Sequence, residues 1–475
     1  MGAFFGREVY LRQLSTYLQE VQATGTGRLL SIRGRRRVGK SRLIEEWLQR
    51  ARVPHVFFAA SRQAPQREVA LFAEEVARSS LPSAAIVASG VTFESWDAAF
   101  TLIATTAAAT ATPASPITVV LDEFPYLLEQ DPSVEAAIQK VWDRFLQRAP
   151  VMILLVGSDL SMMTALTEYG HPLYGRTTEM VVSPFSATET ASMLGVSGAD
   201  ALDSYLVVGG FPLIVQSWKK RLTLWQYLRQ ELANPTSPLI VTGERMLAAE
   251  FPAETQARDV LDVIGAGETT FGAISSGAGI QHLSLSRSLD VLVNRKRVVA
   301  ATRPLCSRPS KETRYTVADP YLRFWLRFIQ PGLEEVERGR GDIVIARIKE
   351  QWSTYRGKAI EPLIREAVER LLPDQRFGDA RYVGGYWTRT NDVEVDLIGA
   401  RERVAAKRIA FVGSIKWKER APFGIQDLRA LAGQRPKVPG TDDRTRLVGV
   451  SRSGFDTPGL DVALTPDDLL DAWKT

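Results

Sequence analysis

Residues that bind metals through sulfur or imidazole are scarce in this sequence. Cys306 is the one cysteine among 475 residues, and the three histidines, His55, His171 and His282, lie far apart. A single cysteine excludes an internal disulfide framework, and so few ligands leave no set for a zinc site. We therefore expect a protein of a reducing compartment, the cytoplasm, without structural zinc.

Long apolar runs are also missing. No stretch approaches the roughly 18 uninterrupted apolar residues that a membrane-spanning helix needs. The segment Met1–Arg7 lacks the charged start and apolar core of a secretory signal. Neither sign of charge dominates, since 59 Lys and Arg residues stand against 54 Asp and Glu residues. The composition predicts a globular protein of several domains with no membrane segment.

The most informative segment is Gly34–Ser41, which fits the phosphate-binding pattern G-x-x-x-x-G-K-[ST]. The apolar run Leu29–Ile32 precedes it, and apolar residues at helical spacing follow it, so the loop joins a strand to a helix N-terminus. Lys40 would neutralise the β- and γ-phosphates of a nucleoside triphosphate, and the Ser41 hydroxyl would bind its magnesium ion. The predicted nucleotide contacts are Gly34, Arg35, Arg36, Arg37, Val38, Gly39, Lys40, Ser41 and Arg42.

A second segment supplies the acidic half of an ATPase site. The run Ile117–Leu121 has the unbroken apolar pattern of a strand buried on both faces, and Asp122 and Glu123 follow it. Asp122 is placed to hold magnesium, and Glu123 to act as the base that orients the attacking water. A further buried strand, Val151–Val156, leads to Ser158, which would lie beside Glu123 if the two strands are neighbours.

The chain changes character along its length. Residues 1–185 alternate strands with helices, which is typical of an α/β domain with a mostly parallel sheet. Residues 186–245 have a mainly helical pattern, broken at Gly209–Pro212, and are interpreted as a lid over the nucleotide. Three short helices and a hairpin in residues 246–330 follow the order of a winged helix.

The predicted hairpin is rich in basic residues and has a single acid, Glu312. Such a cluster is typical of phosphate contacts to DNA, by the wing and the end of the recognition helix. The alternatives are a solvated loop and a winged helix used for protein contact, because basic patches also keep surfaces soluble. The basic residues are Arg295, Lys296, Arg297, Arg303, Arg308, Lys311 and Arg314.

Residues 331–475 form the last predicted domain. A helix over Trp352–Leu372 carries Glu361. The alternating segment Asp392–Ile398 places Glu394 and Asp396 on one face of a strand. A later strand, Ala410–Trp417, places two polar side chains on one face, and these are Ser414 and Lys416.

Several motifs in order resemble those of archaeal-type P-loop ATPases, which are related to the AAA+ and STAND classes. The resemblance covers nearly the whole chain and makes Arg7 a nucleotide contact and Arg176 a candidate cation for the γ-phosphate. The motifs are Phe5-Gly6-Arg7-Glu8, Arg33–Ser41, Leu121–Leu127, Pro172-Leu173-Tyr174-Gly175-Arg176, Gly209–Pro212 and Asp319–Trp325.

The C-terminal domain is similar to PD-(D/E)xK nucleases, in which two acidic residues hold Mg²⁺ and a lysine helps to activate water. Glu361, Asp396 and Lys416 fall on that pattern, but Ser414 stands where the family has an acid. A hydroxyl is a poorer ligand for Mg²⁺ than a carboxylate, although Glu394 faces the same way as Asp396. The resemblance implies a degenerate nucleic-acid-binding domain rather than a competent nuclease.

These interpretations together predict a cytoplasmic multidomain ATPase. It would bind ATP and Mg²⁺ in an AAA+-like core and couple nucleotide state to DNA through the winged helix and the nuclease-like domain, with a homo-oligomer among the possible assemblies. Two alternatives remain at this point. One is a slowly hydrolysing STAND-like switch that acts through protein contacts, and the other is an ATP-regulated, metal-dependent DNA nuclease.

Overall fold

The chain folds into two units that meet in sequence between Pro184 and Phe185. The computed structural model describes residues 4–220, 222–251, 256–307 and 312–474. Among those residues, no helix combines the length and the apolar character needed to cross a bilayer. The finer division of the second unit near residues 245 and 330 stays a prediction.

The first unit is built on one parallel sheet of order β2-β3-β4-β1-β5. Because all its strands run in the same direction, the loops that follow β1, β3 and β4 lie at a single edge. Every residue of β3 and β4 is buried, as the sequence predicted for strands covered on both faces. The strands are β1 (Arg28–Arg33), β2 (His55–Ala59), β3 (Ile117–Asp122), β4 (Val151–Gly157) and β5 (Thr177–Val181).

Helices cover both faces of this sheet. The apolar stripe of α2, Leu43, Ile44, Trp47 and Leu48, is buried as its helical spacing predicted. The sequence did not indicate the short helices α4, α6 and α8. The helices are α1 (Glu8–Thr24), α2 (Lys40–Ala51), α3 (Pro65–Arg78), α4 (Ala84–Ala88), α5 (Trp96–Thr110), α6 (Phe124–Gln130), α7 (Ser133–Arg144) and α8 (Leu160–Ala165).

The second unit starts with a helical region in which two glycines allow close packing. Gly209 and Gly210 have positive φ angles of 57° and 76°. A Cβ atom would lie 2.6 Å from the Tyr321 side chain at Gly209, and 2.1 Å from the Phe185 carbonyl oxygen at Gly210. The helices are α9 (Ala187–Leu194), α10 (Gly198–Val208), α11 (Pro212–Ser217), α12 (Leu224–Leu232) and α13 (Pro238–Glu250).

Three helices and an antiparallel hairpin follow, in the order that the sequence predicted. The hairpin pairs Val299 with Val317 and Thr302 with Arg314, and a bridge from Thr270 also reaches Arg314. The predicted residues Arg308 and Lys311 lie outside the described part of the chain. The elements are α14 (Gln256–Ala266), α15 (Phe271–Ala278), α16 (His282–Asp290), β6 (Val299–Thr302) and β7 (Arg314–Val317).

The unit ends in a mixed sheet of order β12-β11-β10-β9-β8. The helix that packs on it, α19, begins eleven residues before the predicted Trp352, because Val344 and Ile348 extend its buried face. Strand β9 is antiparallel to both neighbours, whereas β10, β11 and β12 are parallel. The elements are α17 (Pro320–Phe324), α18 (Leu333–Glu337), α19 (Gly341–Arg370), β8 (Tyr382–Trp387), β9 (Glu394–Ala400), β10 (Ile409–Lys416), α20 (Ile425–Gln434), β11 (Arg446–Ser451), β12 (Val462–Leu464) and α21 (Pro466–Asp471).

A buried carboxylate ties the helical region of this unit to the mixed sheet. Asp203 of α10 is 4% exposed. It accepts hydrogen bonds from Arg356 of α19 at 2.9 Å, from the Trp417 indole at 2.8 Å and from Arg452 at 3.0 Å. Three donors compensate the cost of burying this charge, so helix α10, helix α19 and the ends of strands β10 and β11 are held together.

Candidate nucleotide-binding site

The phosphate-binding loop joins β1 to α2, as its sequence predicted. A Cβ atom at Gly34 would lie 2.2 Å from the Val182 carbonyl oxygen, and Gly39 has a φ of 86°, so both positions require glycine. The Lys40 ammonium donates to the carbonyl oxygens of Gly34 at 2.8 Å and Arg35 at 3.1 Å. The loop therefore curls around the lysine at the N-terminus of α2, the geometry that suits a phosphate.

A hydroxyl and a carboxylate meet at the edge of the sheet. The Ser41 Oγ atom donates to Asp122 Oδ2 at 2.5 Å, and Asp122 Oδ1 accepts from the Glu123 amide at 2.9 Å. Asp122 is 4% exposed. This pair of hard oxygen atoms fits Mg²⁺, which a nucleotide would supply with further phosphate oxygens and waters. The sequence predicted both residues.

Glu123 and Ser158 lie together because β3 and β4 are neighbours, as the sequence predicted. Ser158 Oγ donates to Glu123 Oε2 at 3.0 Å. Glu123 has a left-handed backbone with φ of 50°, which a residue with a side chain rarely adopts. The turn re-aims the carboxylate toward the end of β4, where an attacking water could be held.

Arg7 has a structural position in this loop, which corrects its predicted contact with nucleotide. Its side chain is 3% exposed and donates to the carbonyl oxygens of Val38 at 2.7 Å and Ser183. Arg7 thus joins the start of α1, the phosphate-binding loop and the end of β5. The motif resemblance identified an important residue, and its donors are directed at main-chain oxygens.

The remaining loop arginines have different surroundings. Arg42, on the first turn of α2, forms ion pairs with Glu45 and Glu46 of the same helix at 3.5 and 3.8 Å. Arg37 has a left-handed backbone with φ of 65°. Arg36 donates to the Tyr126 hydroxyl at 2.8 Å. Of these three, Arg36 is the one that reaches toward the turn carrying Glu123.

Arg176 lies at the opposite edge of the sheet from the phosphate-binding loop. It directly precedes β5, whose Thr177 pairs with Leu29 at the start of β1. At about 3.3 Å per residue, some 16 Å of strand separates that level from Gly34. Arg176 also forms a bidentate pair with Asp143 at 2.8 and 2.9 Å. The expectation that it contacts the γ-phosphate is therefore wrong for the chain's own site.

The nuclease-like residues come together in the second unit, but an arginine lies among them. Asp396 Oδ2 accepts from the Ile415 amide at 2.7 Å and from Ser414 Oγ at 3.2 Å. Arg365 donates to Glu361 at 2.8 Å and to the Asp396 carbonyl oxygen at 2.8 Å. The sequence analysis missed Arg365, although its spacing of four residues from Glu361 on one helix could have indicated it.

Burial governs the titration of these carboxylates. It raises the pKa of the Glu361 carboxyl to about 7, with Arg365 opposing this shift and Asp396 adding to it. Burial also raises the pKa of Asp396, against a hydrogen bond from the Ile415 amide and the charge of Lys416. Lys416 itself lies 3.4 Å from Asp427. A site that favours neutral carboxyl groups is a poor match for Mg²⁺.

Cationic side chains take up much of this region. Among the described residues, no group of three or more His, Cys, Asp or Glu side chains is arranged to hold a metal ion. A Cβ atom at Gly385 would lie 2.9 Å from the Arg365 guanidinium, so β8 leaves room for that arginine. The residues of this site therefore do not fit the metal that the nuclease resemblance implies.

Several hairpin cations are neutralised by acids that are distant in sequence. Arg314 pairs with Glu394 at 2.6 Å, and Lys296 pairs with Glu250 at 3.7 Å. Arg314 also lies over the Trp387 ring, with 4.4 Å between the guanidinium carbon and the ring centroid. The expectation of a single compensating acid is wrong, and Arg314 contacts the mixed sheet instead of a free surface.

The N-terminal part of the chain matches a known family. Residues 4–211 match the model of an ATPase domain found predominantly in Archaea. This chain carries an archaeal-type ATPase domain. Residues 325–427 of the same ATPase chain match a second family, described as archaeal and bacterial proteins of unknown function. Neither description names a nuclease, so the nuclease-like fusion stays a prediction.

Individual proteins are similar over much of the chain. An uncharacterized protein of Methanocaldococcus jannaschii is 25% identical over 451 residues, covering 94% of this chain and 95% of that protein. A Walker-type ATPase of Pyrococcus abyssi is 18% identical with a TM-score of 0.47, covering 68% of this chain and 96% of that one. The Aeropyrum pernix ORC2 protein is 15% identical with a TM-score of 0.42, covering 70% and 94%.

Proposed function

We propose that this protein binds ATP with Mg²⁺ at the loop between β1 and α2 and hydrolyses it. The observation that carries this proposal is the convergence of Lys40, the Ser41–Asp122 pair and Glu123 at one edge of a parallel sheet. An ammonium, a pair of hard oxygens and a candidate base are the groups that phosphoryl transfer to water requires.

Each residue has a distinct task in this proposal. Lys40 binds the β- and γ-phosphates, and Ser41 and Asp122 hold the metal. Bound Mg²⁺ would neutralise charge on the phosphate oxygens. Glu123 accepts a hydrogen bond from the attacking water and takes its proton, while the Ser158 hydroxyl orients the Glu123 carboxylate.

Steady-state release of phosphate, with and without DNA and over a range of protein concentrations, tests this function. Lys40→Ala should lose nucleotide binding, because it removes the cation inside the loop. Lys140→Ala is the matched control, since Lys140 pairs with Asp97 at 2.8 Å on the outer face of α7. If Lys40→Ala keeps wild-type nucleotide affinity, the assignment of this loop is wrong.

Arg176 enters this proposal through a second copy of the chain. It lies too far from its own loop, but it directly precedes a strand at the exposed amino-terminal edge of the sheet. In an oligomer it would supply a cation to the phosphates of a neighbouring copy. Mixing inactive Arg176→Ala with inactive Lys40→Ala protein should restore hydrolysis, and mixtures that stay inactive would argue against this role.

The second unit is proposed to couple nucleotide state to DNA. The order of three helices and a hairpin supports a winged helix. The pairing of Arg314 with Glu394 favours the alternative, a switch that acts through protein contacts. Replacing Arg303, Arg308 and Lys311 together by alanine should weaken DNA binding, and should flatten its salt dependence by about 0.9 in log K per log salt for each lost phosphate contact. Equal affinity and slope would support the switch.

A further inference from the structure

Arg36 reaches away from its own strand toward the catalytic turn. Its Nη2 atom donates to the Tyr126 hydroxyl at 2.8 Å. Tyr126 lies in the first turn of α6, and its backbone amide donates to the Glu123 carbonyl oxygen at 2.9 Å. The guanidinium of a loop residue is thereby held beside the turn that carries the candidate base.

The strand order places this contact over the end of β4. Strand β4 lies between β1, which leads to Arg36, and β3, which leads to Glu123. Ser158 follows β4 itself and contacts Glu123. Three polar side chains from three loops therefore border one spot. The terminal phosphate of a nucleotide held by the loop, with water facing Glu123, has to lie there.

Tyr126 is held firmly from its other side. The Arg62 guanidinium carbon lies 4.2 Å from the centroid of the Tyr126 ring. Arg62 forms two hydrogen bonds to Glu129, at 3.0 and 3.1 Å, and has a left-handed backbone with φ of 61°. Glu129, Arg62 and Tyr126 thus form a stack that fixes the phenol hydroxyl near Arg36.

Arg36 has a neutral partner, unlike other arginines of this unit. Arg176 pairs with Asp143 and Arg33 with Glu179, whereas the structure of residues 4–220 gives Arg36 only the phenol of Tyr126 as hydrogen-bond acceptor. A guanidinium has five N–H donors, so most remain for another acceptor. Phosphate oxygens would be the stronger acceptors, because the hydrogen bond is then charge-assisted.

We propose that Arg36 is the cation that binds the terminal phosphate of ATP, and that Tyr126 is its positioning residue. This inference rests on the proposed function and gives Arg36 the task that the sequence predicted for Arg176. Tyr126 keeps one donor of Arg36 while the others contact the phosphate. Arg36 consequently distinguishes ATP from ADP, since ADP has no third phosphate at that spot.

Calorimetric titration with Mg²⁺ and either a non-hydrolysable ATP analogue or ADP tests this role. Arg36→Ala should lower affinity for the analogue about ten-fold or more and leave ADP affinity within about two-fold. Arg36→Lys should retain part of the preference, and Tyr126→Phe should lose part of it. Arg78→Ala is the control, because Arg78 ends α3 near the start of β2, at the opposite edge.

The outcomes separate this inference from the proposed function. Equal losses for the analogue and ADP in Arg36→Ala would mean that Arg36 only supports the loop, and no loss for either would also overturn the inference. A wild-type protein that binds neither ligand would overturn the proposed function itself. If Arg36→Ala does not fold, Arg36→Lys and Tyr126→Phe carry the test, and an unchanged preference in both would overturn the inference.

Discussion

The Ser158 hydroxyl lies 3.0 Å from Glu123 Oε2, across 35 residues of sequence. The two side chains follow neighbouring strands of a parallel sheet, and Glu123 adopts a left-handed backbone there. A left-handed residue with a side chain costs on the order of 1 kcal/mol or more, so the surrounding structure must hold it. The contact therefore fixes the direction of the candidate base.

Ser158→Ala should lower kcat about 10- to 100-fold while KM changes little, because the hydrogen bond to a charged carboxylate orients the base without binding nucleotide. Ser158→Thr keeps a hydroxyl and should retain most of the activity. Steady-state phosphate release measures both variants. A wild-type kcat in Ser158→Ala would mean that Glu123 is oriented by other groups.

Asp203→Ala should destabilise the second unit by about 3–5 kcal/mol, because it leaves the buried guanidinium of Arg356 without its nearest carboxylate. Asp200→Ala is the matched control. Asp200 lies on the same helix and pairs with Arg452 at 3.2 Å, but it is exposed, so its loss should cost less than about 1 kcal/mol. Chemical denaturation compares the two. Equal effects would contradict the importance of the buried network.

Glu361→Gln should stabilise the protein at pH 8 and have little effect at pH 5. The folded pKa of about 7 lies above the unfolded value. The folded state therefore binds this proton more tightly, and the resulting stabilisation is complete below the unfolded pKa and is lost as pH rises through 7. Glutamine stays neutral, so the difference between variant and wild type should grow by up to about 3 kcal/mol. Denaturation midpoints at both pH values measure it, and a pH-independent difference would contradict the raised pKa.

Ser414→Glu should raise divalent-metal affinity in the mixed sheet, because it places a carboxylate beside Asp396 on the neighbouring strand. Metal binding and nicking of plasmid DNA should be compared in wild type, Ser414→Glu and Asp396→Ala. The wild type should neither bind Mn²⁺ tightly in this site nor nick DNA. Robust nicking by wild type that is lost in Asp396→Ala would establish a nuclease and contradict the degenerate interpretation.

Much of the nucleotide site could be predicted because its residues lie in strong local patterns. The loop Gly34–Ser41 and the buried strands that end at Asp122 and Gly157 identify both the sheet and the edge where side chains meet. The Ser158–Glu123 contact then required only that the two strands be neighbours. Local pattern and topology agree throughout this region.

The errors came from contacts between distant segments. The motif around Arg176 says nothing about which edge of the sheet it occupies, although a residue that precedes a parallel strand lies opposite the phosphate-binding loop. The hairpin looked basic because Glu394, which neutralises Arg314, is 80 residues away. Asp203 and its partners could not be paired from sequence, because each lies on a separate element.

The central claim is that Glu123 is the base of an ATP-hydrolysing site, and Glu123→Gln tests it most directly. The amide keeps the shape of the side chain but cannot take a proton, so the account predicts wild-type affinity for ATP and phosphate release slowed about 100-fold or more. Glu74→Gln, on the exposed face of α3, controls for the loss of a charge. Undiminished phosphate release by Glu123→Gln, or the absence of ATP hydrolysis by the wild type, would contradict the account.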